Sequence, residues 1–512
     1  MAQKKLNKNV VAGLTLFTFA TVIVLSALML RSLERRDPKH LVQLAEGAAS
    51  QEDWHRAGSL YVEAFRARNE AGYLVPAGEM LLREGSIGEA LRAWNQALVL
   101  QPDLIDAHKK LIALRLETSR LYGTTDEWEQ ARVAAQALID VSTAKSADVE
   151  AFARHALGLA LIALEVRDPG SAERGRDELR RATELSPDEV EYAVDLGAEY
   201  SRAEKLEEAE AVFRAQLERH AGADAAASKA RTGWAGHLAR RRRFDEATSA
   251  YKESIASAGE DVAARGEAEL AYAAFLAQQW ALARADAKTR DGAQRYLDEA
   301  EGVLKGVMQR QPDSFKAYLQ LAVLYKVSTR HVDAVGVCEK RLSRGFSRKG
   351  VEAGKTRVDA FTLMIYASES CVALAAESAK TGDLARRDEQ LTKADQYVAD
   401  ARGEATNHPR ILSQAGRVKL ARGQDRAAIE DLRAADDGYR SFSTVNWENR
   451  MLRASTHLRL NEAGAARAVL EEVVPDAMKM RTRDTTFWNL YAQSLLQTNE
   501  LEKALGVVDR VL

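Results

Sequence analysis

Few residues in this sequence stand in a pattern that could do chemistry, and each candidate falls short of its motif. GVEAGKT, at 350–356, approaches a phosphate-binding loop, in which backbone N–H groups and a lysine cradle the phosphates. That loop needs four residues between its first glycine and the Gly-Lys pair; here there are three, and no strand pattern precedes them. The stretch is expected to connect two helices. STAK, at 142–145, places a serine near a lysine as in some acyl-transfer enzymes, but the companion motifs are absent. The histidines are scattered, with no HExxH, and read as surface or packing residues. Cys338 and Cys371 form no CxxC and have no histidine pair at metal-ligand spacing. Cys338 falls where a helix needs an apolar residue, so core packing is expected of it. RRRR, at 240–243, is the one dense basic cluster. It could meet anionic lipid, nucleic acid or an acidic partner, but no pattern of base-stacking aromatics accompanies it, and it reads as a solvated turn. These residues predict no catalytic site, no cofactor, no metal and no small-molecule substrate.

The composition points the same way. Net charge is −2, so there is no global basic field to draw nucleic acid, and no nucleic-acid partner is expected. Proline is scarce, at 8, and alanine is abundant throughout, which favours helix. The N-terminus stands apart. A short basic tail, 1–9, precedes VVAGLTLFTFATVIVLSALML at 10–30, which carries no charge, and a basic juxtamembrane linker follows at 31–37. At about 1.5 Å per residue the apolar run spans roughly 30 Å, the thickness of a bilayer core. It exceeds a typical signal-peptide core and ends in no small-x-small cleavage site, so it is expected to be an uncleaved transmembrane helix with the bilayer as its partner. No cysteine near its end supports a lipoprotein. Basic residues are nearly balanced across it, and the positive-inside rule barely discriminates. A short basic tail usually stays in the cytoplasm, so a bacterial inner-membrane protein with a periplasmic body is expected, the cytoplasmic orientation remaining open.

What positions the remaining residues is a repeat. Gly78 and Ala90 stand twelve residues apart, and the same small-to-small interval recurs at Ala45 and Ala57, Gly197 and Ala209, Ala235 and Ala247, Ala322 and Ala334, Gly416 and Ala428, Ala454 and Ala466, and Ala492 and Ala504. A larger apolar residue usually lies four after the second: Tyr61, Trp94, Phe213, Tyr251, Cys338, Leu432, Leu470, Val508. This predicts hairpins of two amphipathic helices, with small residues where the helices cross and the large residue filling the space beside the crossing. Turn chemistry separates the two helices, as in REGSIGEA and ARGQDRAA. Proline turns end several second helices, at Pro102, Pro187 and Pro312, and the aspartate after each can cap the next helix.

Phased in this way, the units resemble tetratricopeptide (TPR) repeats. Residues 71–104 carry Leu74, Gly78, Leu81, Ala90, Trp94, Ala97 and Pro102 at the family's offsets; residues 190–223 carry Leu196, Gly197, Tyr200, Ala209 and Phe213. Residues 315–348 and 485–512 match through Tyr318, Leu321, Ala322, Tyr325 and Ala334, and through Trp488, Tyr491, Ala492, Leu495, Ala504 and Val508. The resemblance covers 38–512 in about twelve repeats. It implies an all-α fold, a right-handed superhelical solenoid of stacked helical hairpins, preceded by the transmembrane helix. Units near 105–148, 149–189, 262–314 and 350–408 are lengthened, either by insertions on one edge of the solenoid or by neutral elongation. The last unit reaches Leu512 without a polar cap, so either the chain continues or this end docks onto another subunit.

In TPR proteins the first helices line a concave groove that takes peptides or helices. Positions left free by the packing pattern are then candidate partner-binding residues: Glu79 and Arg83, Val194 and Arg202, Val323 and Lys326, Arg417, and Asn489 and Gln493. The lysine–asparagine set by which some members clamp a C-terminal carboxylate does not appear in register. The expected function is a membrane-tethered protein–protein interaction scaffold that assembles an envelope complex; the alternative is a cytoplasm-facing adaptor or co-chaperone on the same solenoid.

Overall fold

The computed structural model describes residues 37–511 except 143–145, 287, 347–352, 442–445 and 481–483. The segment 10–30 and its flanks through 36 therefore lie outside the described residues, as do Thr143 to Lys145 of STAK. Every regular element among the described residues is helical. The chain forms two compact units, the first holding the described residues through Leu114 and the second nearly all from Arg115 on.

In the first unit α1 (Pro38–Ser50) packs on α2 (Trp54–Arg68), and α3 (Leu74–Glu84) on α4 (Ile87–Leu100). The boundary falls within α5 (Ile105–Tyr122), which is followed by α6 (Thr125–Ser142). The second unit continues as hairpins: α7 (Ala147–Ala163) with α8 (Ser171–Leu185), α9 (Val190–Arg202) with α10 (Leu206–Arg219), and α11 (Ala225–Arg240) with α12 (Phe244–Ser257). Next come α13 (Val262–Ala285) with α14 (Ala293–Arg310) and α15 (Phe315–Val327) with α16 (His331–Leu342). The long α17 (Ala353–Lys380) and α18 (Leu384–Glu404) follow, then α19 (Pro409–Ala421) with α20 (Asp425–Ser441) and α21 (Trp447–Arg459) with α22 (Ala463–Glu471). After the short α23 (Val474–Met480), α24 (Thr485–Gln497) packs on α25 (Leu501–Val511).

The recurring small residues are buried where paired helices meet. A Cβ added to Gly78 would lie 2.3 Å from Trp94 Nε1; on Gly197 it would meet the Phe213 ring at 2.6 Å, and on Gly416 the Leu432 side chain at 2.7 Å. Each filler stands sixteen residues after its glycine, so hydrogen at one position and bulk at the other form one packing unit. Trp94 is 0% exposed, and its Nε1–H donates to the Val75 carbonyl at 3.1 Å, so the indole brings no unsatisfied donor into the core.

The turn inside most hairpins also repeats. One residue takes the left-handed conformation, among them Gly85 (φ 97°), Glu204 (φ 61°), Arg242 (φ 60°), Thr329 (φ 62°) and Asn461 (φ 60°). The residue after it donates its N–H back across the turn: Lys205 to Tyr200 O at 2.9 Å, Arg243 to Leu238 O at 2.9 Å, Arg330 to Tyr325 O at 2.8 Å. These bonds satisfy carbonyls that a helix end leaves open.

Two expectations need correction. The aspartates that follow Pro187 and Pro312 do not cap the next helix: the N-caps of α9 and α15 are Glu189 and Ser314, neither of which makes a side-chain cap bond. Asp188 and Asp313 stand one position earlier and pair instead with Arg219 and Arg344, at 3.1 and 3.0 Å. Side-chain caps come from residues without a preceding proline, such as Asp224 to Ala227 N–H at 2.7 Å and Asp261 to Ala263 and Ala264 N–H at 2.9 Å. Second, Ala353 to Thr356 of GVEAGKT do not connect helices; they open α17. Of the two readings left open for the lengthened units, elongation fits those near 105–148, 262–314 and 350–408, where α5 and α6 run 18 residues each, α13 24 and α17 28. In the unit near 149–189 the extra residues do form a loop, which Glu165 organises by accepting the N–H groups of Gly170 and Ala172 at 3.1 and 2.6 Å. Residues 355–380 of α17 are long and apolar enough to cross a membrane. Phe361, Leu363, Ile365 and Cys371 within them are buried, and Phe361, Ile365 and Cys371 pack with Ala394 and Val398 of α18 and Ile411 of α19.

Candidate functional site: the first-helix face

Successive first helices touch one another within the second unit: α9 with α11, α11 with α13, α13 with α15, α21 with α24. Polar side chains tie them together. His155 Nε2 meets Asp195 at 2.9 Å, Lys229 meets Glu191 at 3.0 Å, and Ser201 meets His237 Nδ1 at 2.7 Å. Further along, Gln414 donates to Ser368 Oγ at 3.0 Å and Ser413 to Asn449 Oδ1 at 3.0 Å.

The expected groove residues fall on these helices with different fates. In the first unit Glu79 pairs with Lys110 at 2.7 Å, and the Arg83 guanidinium lies 5.0 Å from the centre of the Trp54 ring. In the second unit Val194 is half-buried against Gly233, and Arg202 pairs with Glu199 of its own helix. Lys326 pairs with Glu369 and sits 4.2 Å from the Tyr366 ring centre, and Arg417 pairs with Glu448 at 2.7 Å. Val323, Asn489 and Gln493 are exposed, and the two amides make no hydrogen bond among the described residues. Most of the expected charges therefore fasten one helix to another.

Two cavities open between these helices. One, of about 430 Å³, lies between α11 and α13 and is lined by Gly236, Arg240, Tyr251, Ala274, Phe275 and Gln278. Tyr251 is 6% exposed, burial pushes its hydroxyl up to about 12, and that hydroxyl has no hydrogen-bond partner among the described residues. Gly236 leaves it uncovered, since an added Cβ would stop 3.8 Å away. The second cavity, of about 330 Å³, is lined by Leu319, Gln320, Val323, Val327 and Tyr366 and shares Ala274 with the first. Val323 and Val327, at 36% and 48% exposed, give it an aliphatic mouth. A larger cavity, about 710 Å³, opens between α14 and α16, but Lys305, Tyr325 and Asp333 on its wall are already engaged with Glu301 or Arg330.

The arginine run divides. Arg241 pairs with Glu210 at 2.5 Å and Arg243 with Glu246, as a solvated turn would have it. Arg240 ends α11, faces the first cavity and has no carboxylate partner among the described residues. Its like charge, after burial, is the next influence lowering the Arg202 pKa. Sequence reasoning missed Arg240, Tyr251 and Gln278 as site residues; RRRR was the only signal, and it does not distinguish four arginines by their neighbours. Among the described residues no group of three or more His, Cys, Asp or Glu could hold a metal ion.

No family model matches the chain, and no curated protein matches it. Among solved structures the chain is similar to a TPR protein from Parabacteroides merdae, at 15% identity over 64% of this chain and 98% of that one, with a TM-score of 0.38. It is similar to TTC0263, a TPR protein of Thermus thermophilus, at 19% identity over 40% and 93%, TM-score 0.31. It is also similar to a chain of the APC/C hetero-tetramer Cut9–Hcn1, at 12% identity over 94% and 94%, TM-score 0.32. The TPR-like character of the fold rests on the hairpins themselves.

Proposed function

We propose that this chain is a protein–protein interaction scaffold, held at a bacterial inner membrane by residues 10–30 with its body in the periplasm, where it helps assemble an envelope complex. The observation that carries the binding role is the first-helix face of the second unit, where two cavities and several exposed, unpartnered side chains adjoin helices that are otherwise locked by ion pairs. A surface whose scaffold is fixed while its open positions are unsatisfied is pre-organised for a partner. Val323, Asn489 and Gln493 are the expected positions that the surrounding pairs leave available, and they serve as partner contacts.

The test is site-specific photocrosslinking in native membranes. A photoreactive side chain at Val323 or Asn489 should give discrete partner adducts, and one at Val99, 81% exposed on a second helix, should not. Equal or absent adducts at all three positions would sink the proposal. Extraction at alkaline pH with and without residues 10–30, together with reporter fusions after residue 37, tests the tether and the side.

A further inference from the structure

The two cavities of the first-helix face differ in chemistry and share a wall. On α9, α11 and α13 every carboxylate has a basic partner: Glu191 with Lys229, Asp195 with His155, Glu199 with Arg202, Glu267 with Lys316, and Glu269 with Arg265 and Arg310. Three guanidiniums are left without a carboxylate among the described residues, and one of them, Arg231, donates to the Gly222 carbonyl at 3.3 Å away from both cavities. Arg240 is at the first cavity, and Arg284 lies beside the second, its Nη1 donating to the Val327 carbonyl at 3.4 Å. A surplus of positive charge thus adjoins the cavity lined by Tyr251, whose hydroxyl has no partner among the described residues.

We propose that these adjoining cavities form one docking register for an extended peptide, in which an acidic side chain meets Arg240, Tyr251 and Gln278 and a neighbouring aliphatic side chain enters the cavity walled by Leu319, Val323 and Val327. The inference rests on the scaffold reading above and specifies the partner's chemistry. A carboxylate takes a charge-assisted bond from the guanidinium and a second from the Tyr251 hydroxyl, and the Gln278 amide can supply a third. Packed helices lie about 8–10 Å apart, and an extended chain advances about 3.3 Å per residue, so the acidic and aliphatic residues should stand about three apart. The aliphatic mouth favours a peptide over a nucleic acid, because Val323 and Val327 offer a base no stacking face and the ring of Tyr366 behind them is already covered by Lys326 and Arg410, 4.2 and 5.6 Å from its centre.

The experiment is selection of a random decapeptide display library on the full chain in detergent, followed by affinity measurement on synthesised winners. Enriched peptides should carry Asp or Glu about three residues from Leu, Ile, Val or Met. Arg240→Glu should weaken them at least tenfold, and replacing their acidic residue by lysine should restore binding to that variant. Gly236→Leu, which fills the first cavity from a position free of close contacts, should weaken acidic peptides and leave the melting profile intact. Peptides that respond to Val323→Arg but ignore both Arg240→Glu and Gly236→Leu would overturn the register while leaving the scaffold reading in place. Peptides indifferent to all three would count against both. Absence of any enriched peptide, or binding of a polyuridine 20-mer through Arg240 instead, would also overturn the register.

Discussion

At the scale of single residues, the protein is governed by where a side chain has room. Gly78 and Gly236 both sit in first helices, and alanine is the better helix former by roughly 1 kcal/mol. Their neighbours are opposite. Gly78→Ala drives a Cβ into the Trp94 indole and should destabilise the first unit by about 1–3 kcal/mol, whereas Gly236→Ala meets nothing closer than 3.8 Å and should stabilise by about 0.5–1 kcal/mol. Urea unfolding of the two variants checks the opposite signs. The cysteines follow the same logic. Burial pushes the Cys338 thiol up to about 12 and Cys371 up to about 11, so almost no thiolate exists near neutral pH. A thiol reagent at pH 8 should leave both unmodified in the native chain and label both in denaturant; rapid native labelling would mean that the α17 core opens. The glycine–aromatic units were legible in the sequence because a fixed crossing geometry imposes fixed intervals. Arg240 was not, because four consecutive arginines look alike until Glu210 of α10 takes Arg241 and Glu246, three residues on in α12, takes Arg243.

At the scale of elements, periodicity showed that helices pair, and turn residues showed where they end, but capping was read from the wrong side. Proline at 187 and 312 fixes the exit of one helix, and the following aspartate is then one residue too early to cap the next, so it reaches the second helix instead. Helix elongation in α13 and α17 was equally hidden, because a long alanine-rich amphipathic run and an insertion lengthen the repeat by the same count. One cap carries a pH dependence. His408 precedes Pro409, which opens α19, and its Nδ1 accepts the Arg410 N–H at 3.3 Å while the ring packs 4.7 Å from Phe361. Burial, and then the Arg410 charge, lower its pKa to about 4. Near the ordinary value of about 6.5 the unfolded chain takes up a proton that the folded cap refuses. Stability is therefore complete above about pH 6.5 and declines as pH falls towards 4, by at most roughly 3 kcal/mol. His408→Asn keeps an acceptor at the cap and removes the titration. The wild-type chain should lose more protection in α17 to α20 than this variant between pH 7 and 4.5; parallel losses would show that the imidazole does not titrate as its burial requires.

At the scale of the whole molecule, hairpins touch mainly their neighbours in sequence, so stability should be distributed locally rather than held by one core. Separate apolar clusters bear this out: one gathers Ala45, Ala57, Tyr61 and Met80 in the first unit, another Leu470, Phe487, Trp488 and Leu495 near the end of the chain. Stacked repeats approximate a one-dimensional chain in which a defect lowers the stability of its own unit and the next one or two. Trp94→Ala removes the largest fully buried side chain of the first unit along with its bond to Val75, and should cost roughly 3–5 kcal/mol. Hydrogen exchange should then show lost amide protection concentrated in α3 and α4, with smaller losses in the helices packed directly on them, and wild-type protection from α19 through α25. That gradient depends on coupling strength as well as on contact. If each interface is worth less than the hairpin it joins, the damage stays local; if more, it spreads along the stack. A uniform loss of protection reaching α24 and α25 would mean that the two units unfold together, and the nearest-neighbour description would have to be abandoned for this chain.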